Sequence, residues 1–366
     1  MDERNSLESL RANPQAWGSV SFAHGQSKER GTYDKNEKHR YRVLLALQYD
    51  RRETDVELIR HLFTHEITAA ENDSFQGFGD AFTLAAVLLA NFRDPIDVPL
   101  FARAKLANFD TACGFPLEFM YIVGGDDTER TLKESNLELW NALSERFLDS
   151  NFAFNKLDEW WTAVNKAYPD AKQDDDLLSH YEWSLAFDEF EEAHRCLDQW
   201  ALEEPESDSK WSKLKYEYER LGDFRSAAVV AGSQLNAAAG AWYRASALRD
   251  LVKLHRCGKD FSLALDAARQ LDTNFKSFDD WIGVGLGRIA IHEVFELALS
   301  HPDLASACEA FDIADKWFQR SQDLAFVGLE AGEKAAIHCG RTEKAKRYKE
   351  LACAERERID AMLKGS

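Results

Sequence analysis

The 366 residues carry a formal charge of −19, with 64 Asp and Glu against 45 Lys and Arg, a balance that speaks against nucleic acid as a partner because phosphate binding needs clustered bases. A hydrophobic fraction of 45%, with 10 Trp and 23 Phe, argues against general disorder, and only 7 Pro and 19 Gly favour helix over strand. With no sustained apolar–polar alternation bounded by hairpin signals, the expectation is an all-α fold without a large sheet.

The first residues, Met1-Asp2-Glu3-Arg4-Asn5, lack the apolar run of a secretory signal. The longest apolar stretch, Ala81 to Ala90, is about half of a membrane span. Six cysteines at 113, 196, 257, 308, 339 and 353 contain no Cys-x2-Cys pair and offer no zinc framework. The expected protein is cytoplasmic, with no cofactor and no membrane partner.

Residues 1–37 are polar and turn-rich and read as an arm free to be mobile, with Trp17 and Phe22 as its anchors. Helix is expected from Lys38 onward, with Val43, Leu44 and Leu47 facing inward, and Thr54 or Asp55 opens the next one. Phe75-Gln76-Gly77-Phe78-Gly79-Asp80 breaks the chain before the apolar segment Ala81 to Phe92. Asp94-Pro95 stops that helix, and Val98 to Phe109 reads as its antiparallel partner. Trp140, Leu143, Phe147, Leu148, Phe152, Phe154, Trp160 and Trp161 form an aromatic middle. A helical region 38–170 then ends at Tyr168-Pro169.

Residues 170–209 hold 14 Asp or Glu against Lys172 and Arg195, which concentrates the acidity. A complementary basic protein would be drawn to such a segment. Beyond it lies Trp211-x2-Leu214-x3-Tyr218-x3-Gly222-Asp223-Phe224-x2-Ala227, with large residues three and four apart, then a glycine turn and a small alanine. Related fragments recur around Ala193, Ala264, Ala307 and Ala345, at steps of 34, 37, 43 and 38 residues from Ala193 through Ala227. Steps of that size mark stacked helix pairs.

On these residues the region 171–366 resembles the tetratricopeptide-repeat (TPR) family. Trp211, Leu214 and Tyr218 match the family's first helix, although Lys215 stands where a small residue is usual. Gly222, Phe224 and Ala227 match the turn and second helix, whereas Ala231 replaces a large residue. The resemblance implies a helix-turn-helix solenoid whose first helices line a groove for a protein or peptide. A non-enzymatic binding module is therefore expected, one version of it an immunity protein that neutralises a basic toxin. The residues expected to face the partner are Asp174, Asp175, Asp176, Glu182, Trp183, Glu191, Lys213, Glu217 and Arg220.

Two rival readings stand beside this one. His61-x3-His65-Glu66, with Glu57 one turn earlier, has the helical spacing of metal ligands and would suit a metal-dependent enzyme or metal-binding protein. It lacks the His-Glu-x2-His order of a zinc protease. The other rival is a peptide-sensing regulator, for which no basic recognition helix is present. Gly283-x-Gly285-x-Gly287 departs from the nucleotide-binding spacing and reads as small residues that let helices approach closely.

Overall fold

The computed structural model describes residues 3–28, 31–73, 77–149, 156–322 and 324–365, among which are twenty α-helices and one two-stranded hairpin. The chain divides into two compact units, Met1–Glu189 and Phe190–Ser366. This division falls beyond the boundary read at residue 170. Helix α11 (Leu177–Ala186) belongs to the first unit, where Tyr181 is fully buried and Trp183 and Phe187 pack against the hydrophobic core.

In unit 1 the described residues of the N-terminal arm are folded. Helix α1 (Glu3–Ala12) packs on α2 (Glu37–Tyr49) and buries Leu7 and Leu10. Trp17, in the 3₁₀ turn Pro14–Ser19, donates its indole N–H to the Leu10 carbonyl at 2.9 Å and lays its ring against His61. Strands β1 (His24–Ser27) and β2 (Gly31–Asp34) pair antiparallel with Gly25 opposite Tyr33. A side-chain carbon on Gly25 would lie 2.5 Å from the Tyr33 ring, so glycine is what lets that ring lie flat across the hairpin.

Helices α2, α3 (Val56–Asn72) and α4 (Asp80–Ala90) build the centre of the unit. Helix α4 is buried from Ala81 to Ala90 on nearly every side, as an all-apolar sequence requires. Its partners are α2, α3 and α7 (Glu118–Gly124). Helix α5 (Val98–Lys105), expected to pair with α4, instead packs mainly on α7 and α8 (Thr128–Ser135). The Asp55 carboxylate does not cap α3. It accepts from the Arg52 amide at 2.8 Å and from the Arg11 guanidinium. Phe63, Phe82, Phe101, Phe115 and Phe119 touch in series at centroid distances of 5.1–5.8 Å and join these helices. Of the expected breaker and aromatic middle, Phe75, Gln76, Phe152 and Phe154, and the side chains of Phe147 and Leu148, lie outside the described residues.

Unit 2 is a succession of packed helix pairs. They are α13 (Asp208–Arg220) with α14 (Phe224–Ala237), α15 (Ala241–Cys257) with α16 (Phe261–Asn274), α17 (Gly285–Ser300) with α18 (Leu304–Ser321), and α19 (Phe326–His338) with α20 (Thr342–Gly365). Helix α12 (Phe190–Glu203) precedes them and packs on α13. Ala193, Ala227, Ala264, Ala307 and Ala345 each stand fourth in α12, α14, α16, α18 and α20, and none is more than 8% exposed. The recurring alanine thus occupies one equivalent packing position. Gly222, Lys259 and Gly340, each two residues before one of these helices, share a left-handed backbone with φ of 74°, 64° and 68°.

Ion pairs tie each helix pair to the next. Among the first helices, Lys215 and Glu219 of α13 pair with Asp250 and Lys253 of α15, and Arg256 of α15 reaches Glu293 of α17 at 2.6 Å. Among the second helices, Arg269 of α16 meets Glu309 of α18 at 2.7 Å, and Lys344 of α20 meets Asp315 of α18 at 2.6 Å. Gly287 approaches the Trp281 carbonyl so closely that a side-chain carbon would sit 2.3 Å from it, which accounts for that glycine without any nucleotide. Among the described residues, no helix is long and apolar enough to cross a membrane.

Candidate functional site

The residues expected to face a partner do not share one unit. Asp174, Asp175, Asp176, Glu182 and Trp183 belong to unit 1, and Glu191, Lys213, Glu217 and Arg220 to unit 2. Several are occupied structurally. Asp176 caps α11 by accepting from the Ser179 amide at 2.8 Å, and Asp175 accepts from the Tyr49 hydroxyl. Trp183 is half-buried against His180 and Tyr49. Glu217, expected in the groove, is only 5% exposed, because it lies in the buried stripe of α13 between Leu214 and Tyr218. It accepts from Arg220 at 2.7 Å, and the Arg220 guanidinium stands over the Tyr216 ring. Asp174, Glu191 and Lys213 remain exposed.

The four expected metal ligands do not converge. The His61 and His65 rings meet edge to face, with centroids 4.5 Å apart, and Ser21 Oγ lies 3.0 Å from His61 Nε2. Glu57 turns outward to Arg60, and Glu66 turns inward to Arg40 at 2.6 Å. Burial, reinforced by the neighbouring His61, holds the His65 imidazole down at about 4, so it is neutral at physiological pH. Among the described residues no three His, Cys, Asp or Glu gather as a ligand set.

Unit 1 contains a cavity of about 800 Å³ walled by the hairpin, α2, the end of α3, the start of α4 and the end of α11. Its floor holds a buried charge cluster. Arg40 is wholly buried; it donates to Glu66 at 2.6 Å and to the Val20 carbonyl at 3.3 Å, and it forms an ion pair with Asp34 at 2.7 Å. Asp34 in turn accepts the amides of Ala23 and Asn36, both at 3.0 Å, which locks the hairpin to α2. Burial pushes the Glu66 carboxyl up while Arg40 pulls it down, and the guanidinium keeps its charge regardless.

Phe22, Tyr33, Tyr41, Phe78 and Phe82 supply aromatic walls. Six lining residues are acidic (Asp34, Glu37, Glu66, Asp73, Asp80 and Asp188), whereas Lys38 and Arg40 are the lining cations. Lys38 pairs with Asp188, and Arg40 is engaged on the floor. Among the described residues, neither Glu37 nor Asp80 forms an ion pair. Burial, and then the like charge of Glu182, raises the Asp80 carboxyl above the ordinary range. The Tyr41 phenol is raised by burial and by the field of Asp80. With both lining cations already paired, carboxylates beside aromatic faces are suited to a further ammonium or guanidinium group.

Of this constellation the sequence reading identified Glu182, Glu66 and Phe22 for other roles and missed Arg40, Asp34, Glu37 and Asp80. A signal was present: Arg40 shares the face of Val43, Leu44 and Leu47, and Glu66 that of Ile59, Leu62 and Phe63. A charge inside each of two apolar stripes marks an internal pair. The acidity is also distributed otherwise than expected, since residues 1–189 hold 34 acidic and 20 basic residues and residues 190–366 hold 30 and 25. Comparison with protein-family models, with curated proteins and with solved structures finds no match to this chain.

Proposed function

We propose that the chain is a non-enzymatic binding module for a basic protein or peptide, with unit 2 a TPR-like stack of helical repeats and the acidic cavity of unit 1 the place that takes a partner's Arg or Lys side chain. The observation that carries the reading is the pair of carboxylates Glu37 and Asp80, neither in an ion pair among the described residues, at a cavity with aromatic walls. A cation there would lower the Asp80 carboxyl toward its ordinary value and relieve its repulsion by Glu182. The equivalent alanines and the ion pairs between successive helix pairs support the repeat reading. Neutralisation of a basic toxin is one form of this function, supported by the acidity alone.

The test is a titration of the whole chain with a fluorescent oligo-arginine peptide at low and high salt. Binding is expected to weaken with salt, and Glu37→Gln with Asp80→Asn to weaken it by about tenfold, the equivalent of one charge-assisted hydrogen bond. The control is Asp126→Asn with Glu138→Gln, which removes the same number of charges at exposed acids away from the cavity lining. Equal losses in the cavity variant and the control would reduce the effect to net charge and sink the reading.

A further inference from the structure

Two of the six cysteines meet in unit 2, on elements that the repeat packing holds together. Cys308 lies in the first turns of α18, next to the buried Ala307, and Cys339 is the residue that caps the end of α19. Both are half-buried. Cys308 Sγ is 3.9 Å from the Cys339 carbonyl oxygen, and the two thiols adjoin. The surrounding backbone is fixed: Cys339 N–H donates to the Ala335 carbonyl at 3.0 Å, and Arg341 N–H donates to Ala336 at 2.8 Å around the left-handed Gly340. Arg341 also pairs with Asp312 of α18 at 3.3 Å, so the turn carrying Cys339 is clamped to the helix carrying Cys308.

We propose that Cys308 and Cys339 form a reversible disulfide when the protein meets a peroxide, tying α18 to the end of α19. The Cys308 sulfur attacks one peroxide oxygen and the O–O bond breaks, giving a sulfenic acid and one water. The Cys339 sulfur then attacks the sulfenic sulfur. The S–O bond breaks, its hydroxyl leaves with the Cys339 proton as a second water, and the S–S bond forms. Two thiols lose two electrons and two protons, and one peroxide becomes two waters. Burial and the adjoining Cys308 thiol push the Cys339 thiol up to about 12, which keeps Cys339 protonated at neutral pH. The link would stiffen a junction between successive helix pairs, and such junctions hold a repeat array together.

The whole reduced chain is treated with hydrogen peroxide at neutral pH, quenched with N-ethylmaleimide and mapped by mass spectrometry. The expected product joins the Cys308 and Cys339 peptides with loss of two hydrogens, and dithiothreitol reverses it. Recovery of Cys308 as sulfinic or sulfonic acid, or of both thiols as maleimide adducts, overturns the proposal. Melting supplies a second readout. The oxidised wild type is expected to melt several degrees above the reduced form, and Cys308→Ser and Cys339→Ser each to abolish that rise. A rise that survives either substitution would place the effect elsewhere.

Discussion

Arg40 of α2 and Glu66 of α3 pair at 2.6 Å with the guanidinium wholly shielded from solvent and the carboxylate nearly so. Removing one member of a buried pair strands the other, which costs about 3–5 kcal/mol. Arg40 keeps its pairing with Asp34, so Glu66→Ala is expected to lower the unfolding free energy of the chain by no more than about that amount. Arg40→Met combined with Glu66→Leu and Asp34→Asn should recover most of the loss, because Asp34 also pairs with Arg40 and no unpaired charge of the cluster is then left buried. Urea unfolding of the wild type and the two variants decides it, and a triple variant no more stable than Glu66→Ala would contradict the account.

Burial gives unit 1 a pH dependence through His65. Its folded value of about 4 lies below the ordinary 6.5, so the unfolded chain takes up the proton first. The corresponding stability is fully present above the unfolded value and is lost as pH falls from about 6.5 toward 4. His61 shifts in the same direction, also by burial. The urea midpoint should fall between about pH 7 and about pH 5, and His65→Gln should flatten that fall. An unchanged slope in the variant would show that His65 is not the group responsible.

Lys259 holds a left-handed backbone that Gly222 and Gly340 adopt without penalty in the equivalent turns. Lys259→Gly is expected to stabilise the chain by about 1 kcal/mol and to raise its Tm, since a side chain in that conformation is strained. The same substitution at Lys253, in the middle of α15 and paired with Glu219, should destabilise it. A melting series of the two variants tests both signs.

The repeating alanines were legible because each controls how closely its helix can approach another, and that leaves a small residue at a fixed step. The helical nature of both halves was legible in the three-and-four spacing of large residues. Glu217 was misplaced by helix phase: it stands three after Leu214 and one before Tyr218, on their face, and its charge concealed that position. The role of Asp175 was invisible for another reason. Its partner Tyr49 lies 126 residues away, and no local pattern encodes such a contact. The cavity shares this difficulty, since the hairpin, four helices and the loop before α4 each contribute a few residues to it.

The ion pairs between successive helix pairs also write an order into unit 2. Helix α18 offers Glu309 and Lys316 toward α16, but Asp312 and Asp315 toward the basic Arg341 and Lys344 beside and within α20. Each junction carries its own arrangement of signs. A shuffled or deleted hairpin would not preserve these pairings, so the charges favour the native order of the helix pairs.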